Sequence, residues 1–122
     1  MKKTKGTISV VMSTVPDRRH ALRLAKSLVE KKLAACCSIS SGTLSFYWWK
    51  NKIEKAEEFI LLMKTTHEQV KPLVKELKRA HPYEVPEVLV FSPSEGSKNY
   101  LHWIEDSTKK TGAKKKNVVS KL

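Results

Sequence analysis

Apolar positions along the chain recur first every second residue, then every third or fourth, and each change of period marks a predicted element. In TISVVMS, residues 7–13, Ile8, Val10 and Met12 fall on one face at period two, which predicts a strand. Pro16 and Asp17 stop that strand, and Asp17 offers a helix N-cap. Ala21, Leu22, Ala25, Leu28, Val29 and Leu33 then recur at three and four among lysines and arginines, predicting an amphipathic helix from about Asp17 to Lys32. Period two returns in AACCSISSGTLSFYWW, residues 34–49, with a bulge or bend at Gly42. The KNK stretch at 50–52 is a hairpin turn in which Asn51 can take positive φ, and IEKAEEFILLMKTT, residues 53–66, is the returning strand.

Thr66 and Gln69 have capping-box spacing, and Val70, Leu73, Val74 and Leu77 then recur helically to Ala80. Pro72 lies inside these first turns, so the helix either tilts there or starts later than the cap. EVLVFSP, residues 87–93, predicts a buried strand, and NYLHWIEDSTKK, residues 99–110, a short helix with Tyr100, Leu101 and Ile104 or Trp103 turned inward. The order strand, helix, strand, strand, helix, strand, with right-handed crossovers, predicts an α+β fold: a ferredoxin-like split βαβ sandwich (βαββαβ) with a short C-terminal helix. Residues 36–50 would span ~50 Å if continuous, so the hairpin should overhang its own domain. Such an arm, carrying Phe46, Tyr47, Trp48 and Trp49 on alternating faces, exposes aromatic surface and open edges, and self-association is the simplest remedy.

Charge changes this picture little. The net charge of +12 invites a nucleic-acid reading, but residues 1–5 carry three lysines and residues 109–122 six, with no acids in either. Residues 6–108 hold fifteen basic and twelve acidic side chains, a balance of only +3. The chain therefore divides into a basic N-terminal tail at 1–6, one domain at 7–108 and a lysine-rich, disordered tail at 109–122. That last tail should attract polyanions weakly and without sequence preference. A nucleic-acid-binding ferredoxin-like domain using this tail is the alternative function, but the interleaved aromatic and basic pattern of an RNA-binding sheet is missing. No stretch approaches the ~18 apolar residues of a membrane span, and the start is a poor secretory leader because Ser9, Ser13 and Thr14 interrupt its apolar run. Adjacent Cys36 and Cys37 give neither a disulfide framework nor a zinc motif, which points to a reducing, cytoplasmic setting.

Candidate chemistry is sparse. Cys36 and His81 could pair as nucleophile and base, though a cysteine following LAA is more simply buried packing; Cys37 points to the opposite face. Of four histidines only His81 stands apart, in RAHPYEVPEVLVF, residues 79–91. There Pro82 and Pro86 stiffen an extended connection that carries Tyr83, Glu84 and Glu87. Lys64 and Glu58 are charged positions bordering the apolar run FILLM, suited to ion pairing or to holding a small anion.

Taken in order, VVMSTVPD, LVEKKLAAC, FYWWKNKIE, LLMKT, HPYEVPEV and YLHWI resemble the CutA divalent-cation tolerance proteins, from about Ile8 to Ile104. The resemblance implies a ferredoxin-like subunit in a tight homotrimer, similar in architecture to PII signalling proteins, and no enzymatic reaction. It implies an intersubunit cleft lined at Cys36, Tyr47, Trp49, Glu58, Lys64, His81, Tyr83 and Glu87, open to a divalent metal or a small anionic ligand. A function in the response to metal ions such as copper follows from it, as a binding and signalling module with no required cofactor. Two positions depart from the family's copper pattern. Ser13 stands where that pattern has a cysteine, and Ala80 where it has the first of two histidines, which leaves His81, with Cys36, to bind copper(II) or another divalent cation weakly.

Overall fold

A computed structural model describes residues 1–110 of the chain. Its core elements are β2 (Ile8–Val15), α1 (Arg18–Glu30), β3 (Cys36–Ile39), β4 (Thr43–Trp49), β5 (Lys52–Thr66), α2 (Val70–Ala80), β6 (Leu89–Phe91) and α3 (Lys98–Ser107), with two short strands, β1 (Lys2–Lys3) and β7 (Glu95–Gly96). The main sheet runs β3-β5-β2-β6, all neighbours antiparallel, which is the strand order of the ferredoxin-like split βαβ sandwich. The lysine-rich segment from 111 onward lies outside the described residues.

Register decides which residues form the core. Val11 faces Met63 and Val15 faces Phe59 across the β2–β5 ladder, and this side packs under α1 and α2 through Leu24, Leu28, Leu73 and Leu77. Ser9 and Ser13 share that buried side, each 0% exposed. Ile8, Val10 and Met12 share one face, as the period of two predicts, and with Thr14 they form the second face; both faces of β2 are apolar, so alternation alone does not choose the helix side. Within α1, Ala21 and Leu28 are buried as expected and Leu24 joins them, while Leu22 and Val29 are exposed, so the buried stripe keeps the expected phase but is narrower.

Helix ends follow local chemistry. Asp17 caps α1 by accepting from the His20 amide at 2.9 Å. At the other end the Leu33 amide donates to Leu28 O and the Lys32 amide to Val29 O, a Schellman ending that puts Lys32 at φ 59°, where glycine is usual. Thr66 makes no side-chain cap; a 3-10 turn, His67–Gln69, comes first, and α2 starts only at Val70. Pro72 thereby falls in the first turn, where its missing N–H leaves no helical bond unmade.

The hairpin breaks where Gly42 is expected to bend it. β5 is one strand of 15 residues: its first half, Lys52–Glu58, pairs only with β4, and its second half pairs with β2 and β3. The β4–β5 arm therefore projects beyond the four-stranded sheet. It turns at Lys50 and Asn51, both with positive φ (51° and 66°), a two-residue turn of the hairpin-favouring mirror-image type.

Two features are not what the sequence suggests. β6 is short and its Leu89, Val90 and Phe91 are about half exposed rather than buried, because β6 is an edge strand. Lys2–Lys3, within the segment read as a basic tail, pairs with Glu95–Gly96. Helix α3 crosses to the second sheet face, where Leu101 and Ile104 bury against Ile8 and Ala35. Among the described residues that face is covered only at this end. Among the described residues no helix is long and apolar enough to cross a membrane.

Candidate functional site

Residues 81–88 connect α2 to β6, and they form one wall of a cleft whose other wall is the β4–β5 arm. His81 ends α2 in extended backbone, at φ −78° and ψ 139°, as the following Pro82 requires. Its ring turns inward. Nε2 lies 2.8 Å from Thr14 O and Nδ1 lies 3.0 Å from the Tyr83 amide, so Nε2–H donates to the carbonyl and Nδ1 accepts from the amide. Burial lowers the imidazole's pKa from its ordinary value, against the opposing pull of the Thr14 carbonyl. His81 is thus a neutral latch tying the connection to β2.

Tyr83 packs against that ring, centroids 5.0 Å apart, and its hydroxyl donates to Glu58 Oε2 at 2.7 Å. Burial, and next the Glu58 hydrogen bond, raise the Tyr83 phenol well above its usual range. Glu58 is 8% exposed, on the stretch of β5 where pairing passes from β4 to β2. Glu87 faces the same space, its carboxyl pKa raised by burial and then by the Glu58 charge. Tyr47, Trp49 and Glu84 are also among the lining residues, and the cleft encloses about 640 Å³.

The remaining two predicted residues are elsewhere. Cys36 and Lys64 are cross-strand partners toward the far end of β5, six residues and ~20 Å along the strand from Glu58. Cys36 Sγ lies 3.9 Å from the Tyr100 hydroxyl, and Lys64 Nζ donates to Ser38 Oγ at 3.1 Å. Within one chain, therefore, Tyr47, Trp49, Glu58, His81, Tyr83 and Glu87 come together, while Cys36 and Lys64 do not join them. Sequence reasoning missed Thr14, whose carbonyl holds His81, and Tyr100 beside Cys36. Neither contact has a local signal, since each joins residues more than sixty positions apart.

The donor set of one chain does not fit a metal centre. Among the described residues no three His, Cys, Asp or Glu side chains are grouped to hold an ion. Both His81 nitrogens are engaged, Ser13 is sealed on the helix side of the sheet, and Ala80 offers no donor atom. Cys37 is no substitute, because burial pushes its thiol up to about 12, far from the thiolate a soft metal needs.

The family model described as CutA1 divalent ion tolerance protein matches residues 9–107. The divalent-cation tolerance protein CutA of Thermus thermophilus is 40% identical over 99 residues, covering 81% of this chain and 96% of that one. The protein of the same name from Pectobacterium atrosepticum is 43% identical over 100 residues, covering 80% and 89%. Among solved structures, CutA from Synechococcus elongatus superposes with a TM-score of 0.84 at 34% identity, covering 89% of this chain and 95% of that chain.

Proposed function

The chain belongs to the CutA1 divalent ion tolerance family, and from that premise we propose that it is a homotrimeric, non-catalytic binding module in the response to divalent cations, copper(II) among them. One observation carries the reading: the second face of the sheet is largely apolar and, among the described residues, has no cover beyond α3. Val10, Met12, Ile60 and Leu62 are only partly buried there, with Leu89 and Phe91 about half exposed at its edge. On the arm, the opposite face of the same long strand presents Leu44, Phe46, Trp48 and Ile53, each at least 60% exposed. Apolar surface of this extent, continuous with unpaired strand edges, is what a subunit buries against copies of itself.

Assembly supplies what one chain lacks. Cys36, Lys64 and Glu58 lie on this same uncovered sheet face, so packing it against a neighbour offers Cys36 and Lys64 of one copy to the cleft of the next. A non-catalytic reading is supported by a cysteine and a histidine that serve structure: both His81 nitrogens are hydrogen-bonded, and the hydrogen-bonding neighbour of Cys36 among the described residues is the Tyr100 phenol. The four-stranded sheet is also a poor platform for nucleic acid, since Lys64 is the one lysine on a face dominated by Ile8, Val10, Met12, Ile60 and Leu62. Two cysteines that form no disulfide suit a cytoplasmic setting.

Copper calorimetry tests the ion-binding half. Binding to the wild-type protein should be weaker than about micromolar, because a hydroxyl and a methyl replace two donors and the third is hydrogen-bonded at both nitrogens. His81→Ala should weaken it further. Submicromolar affinity unchanged by that substitution would contradict the assignment.

A further inference from the structure

We propose that the outer face of α1 and α2 is a docking surface for an anionic phospholipid bilayer. Charge is distributed unevenly over the domain. Residues 17–32 and 67–80 hold ten of the fifteen basic side chains found in residues 6–108 but only four of the twelve acids, so the rest of the domain is net acidic. The small balance of +3 therefore hides a polar distribution, with the cations gathered on the two helices.

Helical spacing turns these cations to one side. Arg19, Arg23 and Lys26 recur at i, i+4 and i+7 along α1, and Lys71, Lys75 and Lys78 repeat that spacing along α2. All six are exposed, and each stripe lies opposite the buried one, Ala21, Leu24 and Leu28 in α1 and Leu73 and Leu77 in α2. Seven residues of helix rise ~10 Å, so the six cations form one broad patch on two helices packed over the same core. Among the described residues none of the six forms an ion pair. The nearby acids are engaged elsewhere: Asp17 caps α1 and meets His20 Nδ1 at 2.9 Å, and Glu76 is shared by Lys31 and Arg79. Glu30 and Glu68 fall past the ends of the stripes.

The residue types on and beside the patch select the partner. Neither helix contains a phenylalanine, tyrosine or tryptophan, nor an asparagine or glutamine, so the face lacks rings on which bases stack and amides that read adenine. Lysines and arginines on long stems, spread over the outside of two helices, suit a diffuse layer of phosphate headgroups. Leu22 and Val29, 49% and 38% exposed, border the α1 stripe one turn from Arg19 and Lys26, where they can reach the acyl boundary beneath the headgroups. A nucleic acid would gain nothing from them. This face lies across the sheet from the surface assigned to assembly, so packing that surface against another copy does not occupy it.

Co-sedimentation of the full-length protein with vesicles tests this, using phosphatidylcholine containing about one-third phosphatidylglycerol at about 0.1 M salt. Saturable binding to these vesicles is expected, with none to phosphatidylcholine alone and loss of binding at about 0.5 M salt. Each cation removed should weaken binding about fivefold, so Arg23→Gln, Lys26→Gln and Lys75→Gln combined should weaken it about a hundredfold. Lys114→Gln, Lys115→Gln and Lys116→Gln combined remove the same charge from the C-terminal segment and should weaken it clearly less. Leu22→Ser should weaken vesicle binding while leaving any attraction to a short DNA duplex unchanged. The substituted helix positions are all exposed, so circular dichroism and light scattering should show fold and assembly as in the wild type. Equal binding to neutral vesicles, a loss in the C-terminal triple variant as large as in the helix triple variant, or duplex binding tighter than vesicle binding at the same salt would overturn the proposal.

Discussion

The His81 ring decides how the 81–88 connection is held, because its two nitrogens join Thr14 on β2 to Tyr83 in the cleft. Its folded pKa lies below the ordinary value of 6.5, so the unfolded chain binds the proton more readily. The contribution is therefore fully present above about pH 6.5 and is lost as pH falls toward the folded value. Chemical denaturation from about pH 7 to about pH 5 should show stability declining on acidification, and His81→Gln should flatten that decline while keeping a donor for the Thr14 carbonyl. A steeper decline in the variant would contradict this role. A second residue-scale expectation concerns Lys32, whose left-handed backbone at φ 59° suits glycine. Lys32→Gly should raise stability by roughly 0.5–1 kcal/mol in urea unfolding. At this scale the sequence was partly readable: the Asp17 cap and the positive φ of Asn51 follow from residue type alone. The buried serines do not. Ser9 and Ser13 resemble solvent-facing positions of an alternating strand, and the cover of α1 and α2 over that face buries them, with neither hydroxyl hydrogen-bonded among the described residues.

Among the elements, β5 matters most, since one continuous 15-residue strand belongs first to the arm and then to the sheet. Its length was legible from unbroken apolar and alternating positions, and its turn from KNK. Its consequence for the site was not, because a strand this long holds Cys36 with Lys64 at one end and Glu58 at the other. Whether they meet depends on a second copy. The turn offers a direct test of the arm's register: Lys50→Asn combined with Asn51→Gly installs the pair that mirror-image hairpin turns prefer. It should stabilise the protein by about 1 kcal/mol with no change in the far-ultraviolet spectrum. A loss of stability would mean that the arm's register is fixed elsewhere. The start of α2 and the exposure of β6 escaped the sequence for a shared reason. The capping-box spacing at Thr66 competes with the end of β5, where Ile8 pairs with Thr66, and the apolar run at 89–91 is half uncovered because β6 has a neighbour on one side only.

For the whole molecule, assembly turns on the surface a single chain leaves open. The helix side of the sheet is closed by α1 and α2, whereas the second face and the arm present apolar side chains to solvent. Two strands alone make a marginal arm, so docking on a neighbour should stabilise both. Trp48 is 71% exposed in one chain; Trp48→Ala should therefore cost a monomer little but lower the melting temperature and make it more dependent on concentration. Fold class was legible from the order of periods, and self-association from the overhang. Stoichiometry was available only from the family resemblance, because an apolar face states that a partner is needed and not how many. Light scattering from the full-length protein at micromolar concentration is the most direct measurement. The account predicts three times the 13.9 kDa chain mass, and a folded monomer of 13.9 kDa with an unchanged circular dichroism spectrum on dilution would contradict it.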